Sequence, residues 1–208
     1  MNHQLGKICF FIVVITSIIN VKAQSDTLII NDIDRYQKTL NIEFLDTATS
    51  PLNKEDIKNF KGLDFFSIDV ALRVTASITV SENSPTFGME TTTSRKPKYR
   101  KYGMLMFKLG EKVFNIPVYQ NLDLSSKLEF QDYLFLPFTD LTNGESTYSG
   151  GRYLDLRIPK GNTIIIDFNK SYNPYCVYNH KYSCPIPPKE NFIEFKIQAG
   201  VKNYIISK

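Results

Sequence analysis

The sequence YSGGRYLDLRIPKGNTIIIDFNKSYNPYCVYNHKYSCPIPP, residues 148–188, decides the fold of this chain. Within it, residues 152–158 and 163–169 alternate between apolar and polar side chains, and the turn-forming residues 159–162 separate them. A period of two is typical of β-strands that bury one face. The buried faces are predicted to be Leu154, Leu156 and Ile158 in the first segment and Ile164, Ile166 and Phe168 in the second. We expect the two segments to form an antiparallel hairpin.

The register of this predicted hairpin would bring two acidic residues together. Residues directly opposite each other in an antiparallel pair share a face, and a slip by one residue would lose apolar contacts. The register that keeps the apolar residues together pairs Leu156 with Ile166, Asp155 with Asp167, and Tyr153 with Asn169. Facing carboxylates are destabilising unless Arg157, a bound cation or a shared proton offsets their repulsion. The pair is therefore a solvated pair, part of a structural network, or a working site. The candidate catalytic residues are Asp155, Asp167, Glu145 and Arg152.

Aromatic and amide side chains near the hairpin are candidates for ligand binding. They are Tyr153, Asn169, Tyr172 and Asn173. Tyrosine rings can stack on a sugar or another planar ligand. The alternative is that such residues cover the core and hydrogen-bond the backbone of irregular loops. The pattern is compatible with a small polar ligand and does not identify it.

Cys176 and Cys184 are the two cysteines outside the N-terminal apolar run. In an oxidising compartment they predict a local disulfide that closes a short loop. A zinc site that includes His180 is the alternative, because the three residues recur every four positions. Prolines at 174 and 185 argue against a helix that would align them, and no fourth ligand is evident nearby. We therefore expect no metal and no cofactor.

The N-terminal residues 1–23 have the pattern of a signal peptide. Lys7 precedes an apolar run over residues 8–19, and Val21-Lys22-Ala23 is typical of a cleavage site. The run is too short to span a bilayer after cleavage. We predict an exported protein, periplasmic or extracellular, cut after Ala23.

Charge and length limit the remaining possibilities. Removal of residues 1–23 takes away two lysines and no acidic residue, so 23 basic residues face 21 acidic ones. Such a balance argues against a nucleic-acid-binding surface, which needs clustered basic residues. Residues 24–208 are long enough for one well-buried core, and no repeat or linker divides them, so we predict a single domain.

Away from the hairpin, the pattern predicts helices first and then strands. Apolar residues at helical spacing over 29–44 predict a helix capped by Asn31, and Asn53 caps a shorter helix that ends near Phe60. Alternation over 72–80 predicts a strand, a mobile loop follows over 81–98, and residues 102–109 and 113–119 predict a hairpin. A further strand is expected within 128–138, residues 170–190 form an irregular crossing, and two last strands lie within 192–198 and 203–206. The predicted fold is mainly β, an antiparallel barrel or sandwich with one or two N-terminal helices.

The chain resembles a widespread bacterial family of about two hundred residues that is known only as a domain of unknown function. The motifs that carry the resemblance are GGRYLDL at 150–156, DFN at 167–169, YNPYCVY at 172–178 and CPIPP at 184–188, followed by Asn191. The resemblance extends over residues 35–206 and implies no reaction. The family pattern near the C-terminus is Ala-Gly-Glu, whereas this chain has Val201 after Ala199-Gly200. A three-carboxylate site that uses this segment is therefore not expected.

Two functions remain open. The favoured one is a non-catalytic exported module that binds a ligand or has a structural role, because the chain has no nucleophile elbow, HExxH zinc motif or phosphate-binding loop. The other is a small hydrolase or metal-assisted enzyme that uses Asp155 and Asp167 with Glu145, Arg152 or His180. Two-carboxylate chemistry would require the two acids to have different environments.

Overall fold

The computed structural model describes the backbone of residues 3–204 and the side chains of residues 24–204. It begins with a long helix, α1 (His3–Leu45), and a short one, α2 (Lys54–Asn59). The predicted signal peptide and its cleavage site lie outside the residues with described side chains and stay predictions. None of the helices in the described part of the chain has both the length and the apolar character that a membrane crossing needs.

The rest of the chain forms an eight-stranded sheet that curls into a half-barrel. Its strands are β1 (Arg73–Val80), β2 (Thr86–Gly88), β3 (Lys98–Leu109), β4 (Lys112–Asn121), β5 (Tyr133–Asp140), β6 (Arg152–Arg157), β7 (Thr163–Asp167) and β8 (Phe192–Ile193). A one-turn helix, α3 (Leu122–Ser125), follows β4. The strand order is β6-β5-β4-β3-β1-β7, with β2 on β3 and β8 on β5. All pairs are antiparallel except β5 with β8. The predicted mainly β class is confirmed.

The predicted hairpin between β6 and β7 is wrong. Strand β6 pairs with β5, which sets Asp155 opposite Phe135, and β7 pairs with β1, which sets Asp167 opposite Arg73. The two strands are the ends of the hydrogen-bonded path, and the curl of the sheet brings them into contact without pairing. Alternation fixes which face of a strand is buried, but it does not specify the neighbouring strand. The facing pair Asp155–Asp167 therefore does not form.

Several predictions for the N-terminal half are confirmed and two are corrected. Asn53 caps α2 by accepting hydrogen bonds from the backbone of Glu55 and Asp56, as expected. Asn31 lies inside α1, so it is not an N-cap. The hairpin of β3 and β4 and the strand β1 form as predicted. The segment 81–98 is not a plain loop, because β2 within it pairs with β3.

The C-terminal segment is mostly irregular, which corrects the prediction of two strands there. Only Phe192–Ile193 forms a strand, and Val201 makes an isolated bridge with Phe65. Residues 205–206, the end of the second predicted strand, lie outside the described residues. The irregular crossing over 170–190 is confirmed, since it contains only single turns of 3-10 helix and isolated bridges.

Strands β5 and β6 bury different chemistry on their two faces. One face contributes to the main core of the half-barrel, with Leu134, Leu136, Phe138, Leu154 and Leu156. The other face is aromatic, and its buried cluster is formed by Met89, Tyr99, Tyr119, Phe135 and Tyr153. A third cluster joins α1 to the irregular crossing through Leu40, Phe44 and Tyr178. Tyr172 packs against both the aromatic cluster and the α1 cluster.

Candidate ligand-binding site

A pocket of about 490 Å³ opens between the aromatic face of β5 and β6, the helix α1 and the irregular crossing. Seven of the described tyrosines line it: Tyr36, Tyr99, Tyr133, Tyr153, Tyr172, Tyr175 and Tyr182. We call it the tyrosine pocket. Its volume lies within the range of small-molecule sites, which are typically about 300–1,000 Å³. Apolar side chains, among them Leu40, Leu124 and Phe135, complete its walls.

Asp155 lies in this pocket and is held by two tyrosines. The hydroxyls of Tyr133 and Tyr172 both donate to its Oδ1, at 2.7 Å and 2.6 Å. No hydrogen bond from the described residues reaches its other oxygen, Oδ2. The carboxylate remains accessible from the pocket although protein atoms make up most of its surroundings. One oxygen is therefore positioned by the protein and the other is available to a ligand.

The surroundings of Asp155 shift the pKa values of the site. Burial raises the pKa of the Asp155 carboxyl, and the hydrogen bonds from Tyr172 and Tyr133, with the charge of Arg157, oppose that shift. Burial and the neighbouring Asp155 raise the pKa of both phenols. The two hydroxyls therefore stay protonated and act as neutral donors. The ionised carboxylate has no opposite charge within ion-pair distance in the described part of the chain.

Two more charged side chains line the pocket. Glu43 comes from α1 and Arg95 from the segment between β2 and β3. The guanidinium of Arg95 donates to the carbonyl oxygen of Ser183 at 2.7 Å, which ties that segment to the irregular crossing. Both side chains belong to exposed residues.

The cysteines lie close together but are not bonded. The backbone N–H of Cys176 donates to Sγ of Cys184 at 3.1 Å, and both are free thiols. The hydrogen bond with the Cys184 thiol lowers the pKa of Cys176 to about 7, while the pKa of Cys184 is raised. Cys184 lines the tyrosine pocket, and Cys176 lines a separate polar hollow next to His180. The pair thus lies in the wall between two cavities.

The positions of Cys176, His180 and Cys184 do not support the alternative zinc site. Among residues 24–204, no three His, Cys, Asp or Glu side chains are grouped so that they could hold a metal ion. The regular spacing of Cys176, His180 and Cys184 does not place them on a helix, because only Tyr175–Val177 forms a single 3-10 turn.

Asp167 belongs to a network at the end of β7 and not to the tyrosine pocket. Its Oδ1 accepts from the backbone and side-chain nitrogens of Asn169, and its Oδ2 lies 3.4 Å from Nε of Arg73. The side chain of Asn169 is fully buried and bonds the backbone of Asp69 in both directions. Asp155 and Asp167 both border a shallow groove between β6 and β7, but they belong to different hydrogen-bond networks.

The other candidates have structural surroundings. Arg152 is fully buried, forms an ion pair with Asp140 at 2.9 Å, and donates to the carbonyls of Ile197, Ala199 and Val201. Burial lowers the pKa of Arg152, and Asp140 opposes that shift. Glu145 is exposed and pairs with Lys196 at 3.0 Å. Asn173 is buried and donates to the carbonyl of Lys202.

Of the predicted site residues, the structure therefore brings together Asp155, Tyr153, Tyr172 and Cys184 in the tyrosine pocket. Asp167, Glu145, Arg152, Asn169 and Asn173 lie outside it. Sequence reasoning missed Tyr36, Glu43, Tyr99, Arg95 and Tyr133 as pocket residues. One signal was present for Tyr133: it alternates with Leu134 and Leu136 and so shares a face with Phe135. No local pattern indicates that α1 covers this face.

Gly151 explains how the chain enters β6. Its φ of +90° is disfavoured for other residues, and a Cβ there would lie 2.5 Å from the carbonyl oxygen of Phe138. The backbone of Phe138 therefore approaches Gly151 closely. This approach fixes the start of the strand that supplies Tyr153 and Asp155.

Comparison with known proteins agrees with the fold and leaves the function open. A family model described as a protein of unknown function, DUF1684, matches residues 58–202. The chain is also similar to the solution NMR structure of an uncharacterised protein from Haloarcula marismortui, with 30% identity and a TM-score of 0.65. The match covers 90% of this chain and 98% of the other. No curated protein sequence matches the chain. The motifs of the resemblance and its bacterial distribution stay predictions.

Proposed function

The chain belongs to the DUF1684 family of proteins of unknown function, and from that premise we propose that it is an exported, non-catalytic module that binds a small ligand in the tyrosine pocket. The ligand would have a flat or apolar body between the tyrosine rings and a hydrogen-bond donor on Oδ2 of Asp155.

One observation carries this proposal: a carboxylate whose first oxygen is fixed by two hydroxyls and whose second oxygen lacks a protein donor. A concave, mostly apolar pocket with a few convergent polar groups is the usual form of a small-molecule site. Six separate parts of the chain build this one, namely α1, the segment between β2 and β3, β3, α3, the pair of β5 and β6, and the residues 172–185. Asp140, which is buried, accepts hydrogen bonds on both of its oxygens, whereas the second oxygen of Asp155 is open to the pocket.

Binding is favoured over hydrolysis because Asp167, the predicted second acid, lies outside the pocket. Two-carboxylate chemistry needs both groups on the reacting bond. Asp167 is occupied by Asn169 and Arg73, and Glu43 is the other acid in the pocket, on an exposed position of α1. The proposal therefore assigns Asp155 a role in orienting the ligand.

Export and the disulfide are part of the same proposal. All the residues that α1 contributes to the pocket, Tyr36, Thr39, Leu40 and Glu43, come after Ala23, so cleavage there would leave the site whole. In an oxidising compartment the two thiols would lose two electrons and two protons to a disulfide-donating oxidant and form the Cys176–Cys184 bond. That bond would hold the wall of the pocket around Cys184.

The test is a ligand screen with a blocked pocket. The protein is purified from cells that express the full chain, and thermal shift is measured with amines, sugars, nucleotides and peptidoglycan fragments. Thr39→Trp places a large side chain into the pocket from α1 and should abolish the shift produced by a true ligand. Ile42→Trp is the matched control, because Ile42 is on the same helix, is 67% exposed and does not line the pocket. A ligand that stabilises both variants equally would contradict the proposed site.

A further inference from the structure

We propose that the ligand of the tyrosine pocket carries a cationic amine, a protonated or quaternary ammonium group, that lies against Asp155. This inference rests on the proposed function and narrows it from a small polar ligand to a cation. It follows from the charges and the rings that surround Asp155.

The first argument is an incomplete ion pair. The two buried acids of the described chain each have an arginine: Asp140 has Arg152 at 2.9 Å and Asp167 has Arg73 at 3.4 Å. Asp155 has two neutral phenols instead, and both use the same oxygen. Asp155 is an exposed residue, so its open oxygen can be reached from the pocket by a ligand. A ligand cation at Oδ2 would supply the missing charge.

The second argument is the composition of the walls. Aromatic rings line the pocket together with the carboxylate: Tyr153 packs edge-to-face with Phe135 and with Tyr172, at centroid distances of 4.8 Å and 5.8 Å. Aromatic rings attract cations through their quadrupole, and a cage of such rings is the usual way to recognise quaternary ammonium groups. A second acid, Glu43, lines the same pocket.

An anionic ligand fits this site less well. The one cationic side chain that lines the pocket in the described chain, Arg95, is bonded to the carbonyl of Ser183. An anion would therefore meet Asp155 and Glu43 with Arg95 as its sole cationic partner. A neutral sugar could use the rings and Oδ2, but it would leave the charge of Asp155 uncompensated.

Affinity for a cation should depend on pH through Asp155. On the pocket side, the titratable and charged groups near this carboxyl are Tyr99 from β3, Tyr133 from β5, Arg157 from β6, Tyr172 and Tyr175 from the crossing, and Tyr36 with Glu43 from α1. In the groove between β6 and β7 they are Arg73, Asp167 and Lys170. Burial raises the pKa of Asp155. Affinity should be highest at neutral pH and should fall with decreasing pH through that raised pKa, because the protonated acid has no charge to offer.

The experiment compares two probes of the same shape. Choline carries a permanent positive charge, and 3,3-dimethylbutan-1-ol is its neutral carbon analogue. Dissociation constants are measured by NMR titration of the protein purified from cells that express the full chain. We expect choline to bind at least about tenfold more tightly than the alcohol, as an ion pair and cation–π contacts imply. Because choline does not titrate, any pH dependence comes from the protein.

Three variants separate the causes. Asp155→Asn keeps an acceptor for both tyrosines and should remove the preference for choline while leaving the affinity for the alcohol unchanged. Glu145→Gln is the control, because it removes an exposed acid that lies outside the pocket and should change neither constant. Thr39→Trp should weaken both probes.

Each outcome decides one of the two claims. Equal affinities for choline and the alcohol, or a choline preference that survives in Asp155→Asn, would overturn the cation inference. If a neutral or anionic compound from the screen binds and Thr39→Trp blocks it, the proposed site stands without the cation. Failure of choline to bind at millimolar concentration also overturns the cation inference, whereas a screen ligand unaffected by Thr39→Trp overturns the site itself.

Discussion

Arg152 and Asp155 lie on the same strand and face opposite sides of the sheet, and the protein treats their charges differently. On the core side, the guanidinium of Arg152 meets Asp140 and three carbonyls of the C-terminal segment. On the aromatic side, the carboxylate of Asp155 meets two phenols at one oxygen and no protein donor at the other. The difference teaches that a buried charge with a full set of protein partners holds the fold together, whereas an accessible carboxylate with one oxygen unbonded indicates a place for a ligand.

The largest expected loss of stability comes from breaking the buried ion pair between Arg152 and Asp140. Arg152→Met should lower the free energy of unfolding by about 3–5 kcal/mol, because it leaves Asp140 buried without its counter-ion. It also removes the donors that hold residues 197–201 against β6. Chemical denaturation gives the change directly.

The matched control lies on the other face of the same strand. Arg157→Met removes an exposed ion pair with Asp132 and should cost at most about 1 kcal/mol. A similar loss for both variants would mean that Arg152 contributes through its aliphatic part alone. The contrast between the two faces would then have no electrostatic basis.

The next largest expected change in stability is the contribution of the proposed Cys176–Cys184 disulfide in the wall of the tyrosine pocket. If the exported protein contains the Cys176–Cys184 bond, reduction should lower stability by roughly 2–3 kcal/mol, the value expected for a short loop. Thermal unfolding with and without reductant measures it, and thiol labelling before reduction should find no free thiol. A double Cys176→Ser, Cys184→Ser variant should unfold at one temperature in both conditions. Two reactive thiols in the exported protein would contradict the disulfide.

Local periodicity predicted the faces of the strands well. Leu154, Leu156, Ile164 and Ile166 all lie in the main core, as their alternation indicates. Arg152 lies two residues before Leu154 on the same face of the strand, so the same alternation also predicts an arginine in the core. A buried arginine requires an acidic partner. The position of Arg152 on the apolar face therefore indicates a structural ion pair and not a catalytic role.

Strand partners could not be predicted in the same way. The short connection between β6 and β7 suggested a hairpin, but β6 completes the sheet beside β5 and β7 pairs with β1, far back in the chain. Such long-range pairing depends on how the whole sheet curls, which no local pattern encodes. Asp155 nevertheless belongs to the pocket, because its face of β6 is aromatic and independent of the partner strand. The contribution of α1 to the pocket was missed for the same reason.

A smaller effect tests how the protein holds Asp155. Tyr133→Phe removes one of the two donors to Oδ1 and should lower stability by about 1 kcal/mol, as the loss of one hydrogen bond to a partly solvated carboxylate implies. It should also raise the pKa of Asp155 further, since a bond that favours the charged form is gone. Carboxyl carbon NMR shifts followed against pH measure this pKa.

Tyr175→Phe is the control within the same pocket. The Tyr175 side chain lines it, but its hydroxyl makes no hydrogen bond with the described residues. We therefore expect neither the stability nor the pKa of Asp155 to change. Equal shifts in the two variants would show that ring substitution, and not the hydrogen bond, perturbs the acid.

The smallest expected change in stability is that of Asp155→Asn, and its sign is opposite to that of Arg152→Met. Because the pKa of Asp155 is raised in the folded state, the folded protein binds more protons than the unfolded chain between the two pKa values. Stability contributed by the protonated form is thus lost as pH rises from the unfolded pKa through the folded pKa. Asp155→Asn removes this titration. At neutral pH the free energy of unfolding of the variant should therefore equal that of the wild type to within about 0.5 kcal/mol or exceed it.

The sign is the informative part of that measurement. The stability advantage of Asp155→Asn over the wild type should grow from acidic to neutral pH, and choline should stabilise the wild type more than the variant. If Asp155→Asn were instead destabilised at neutral pH as strongly as Arg152→Met, the carboxylate would be a completed structural charge. Asp155 would then have a structural role, as Arg152 has, and the tyrosine pocket would have no group that is available to a ligand.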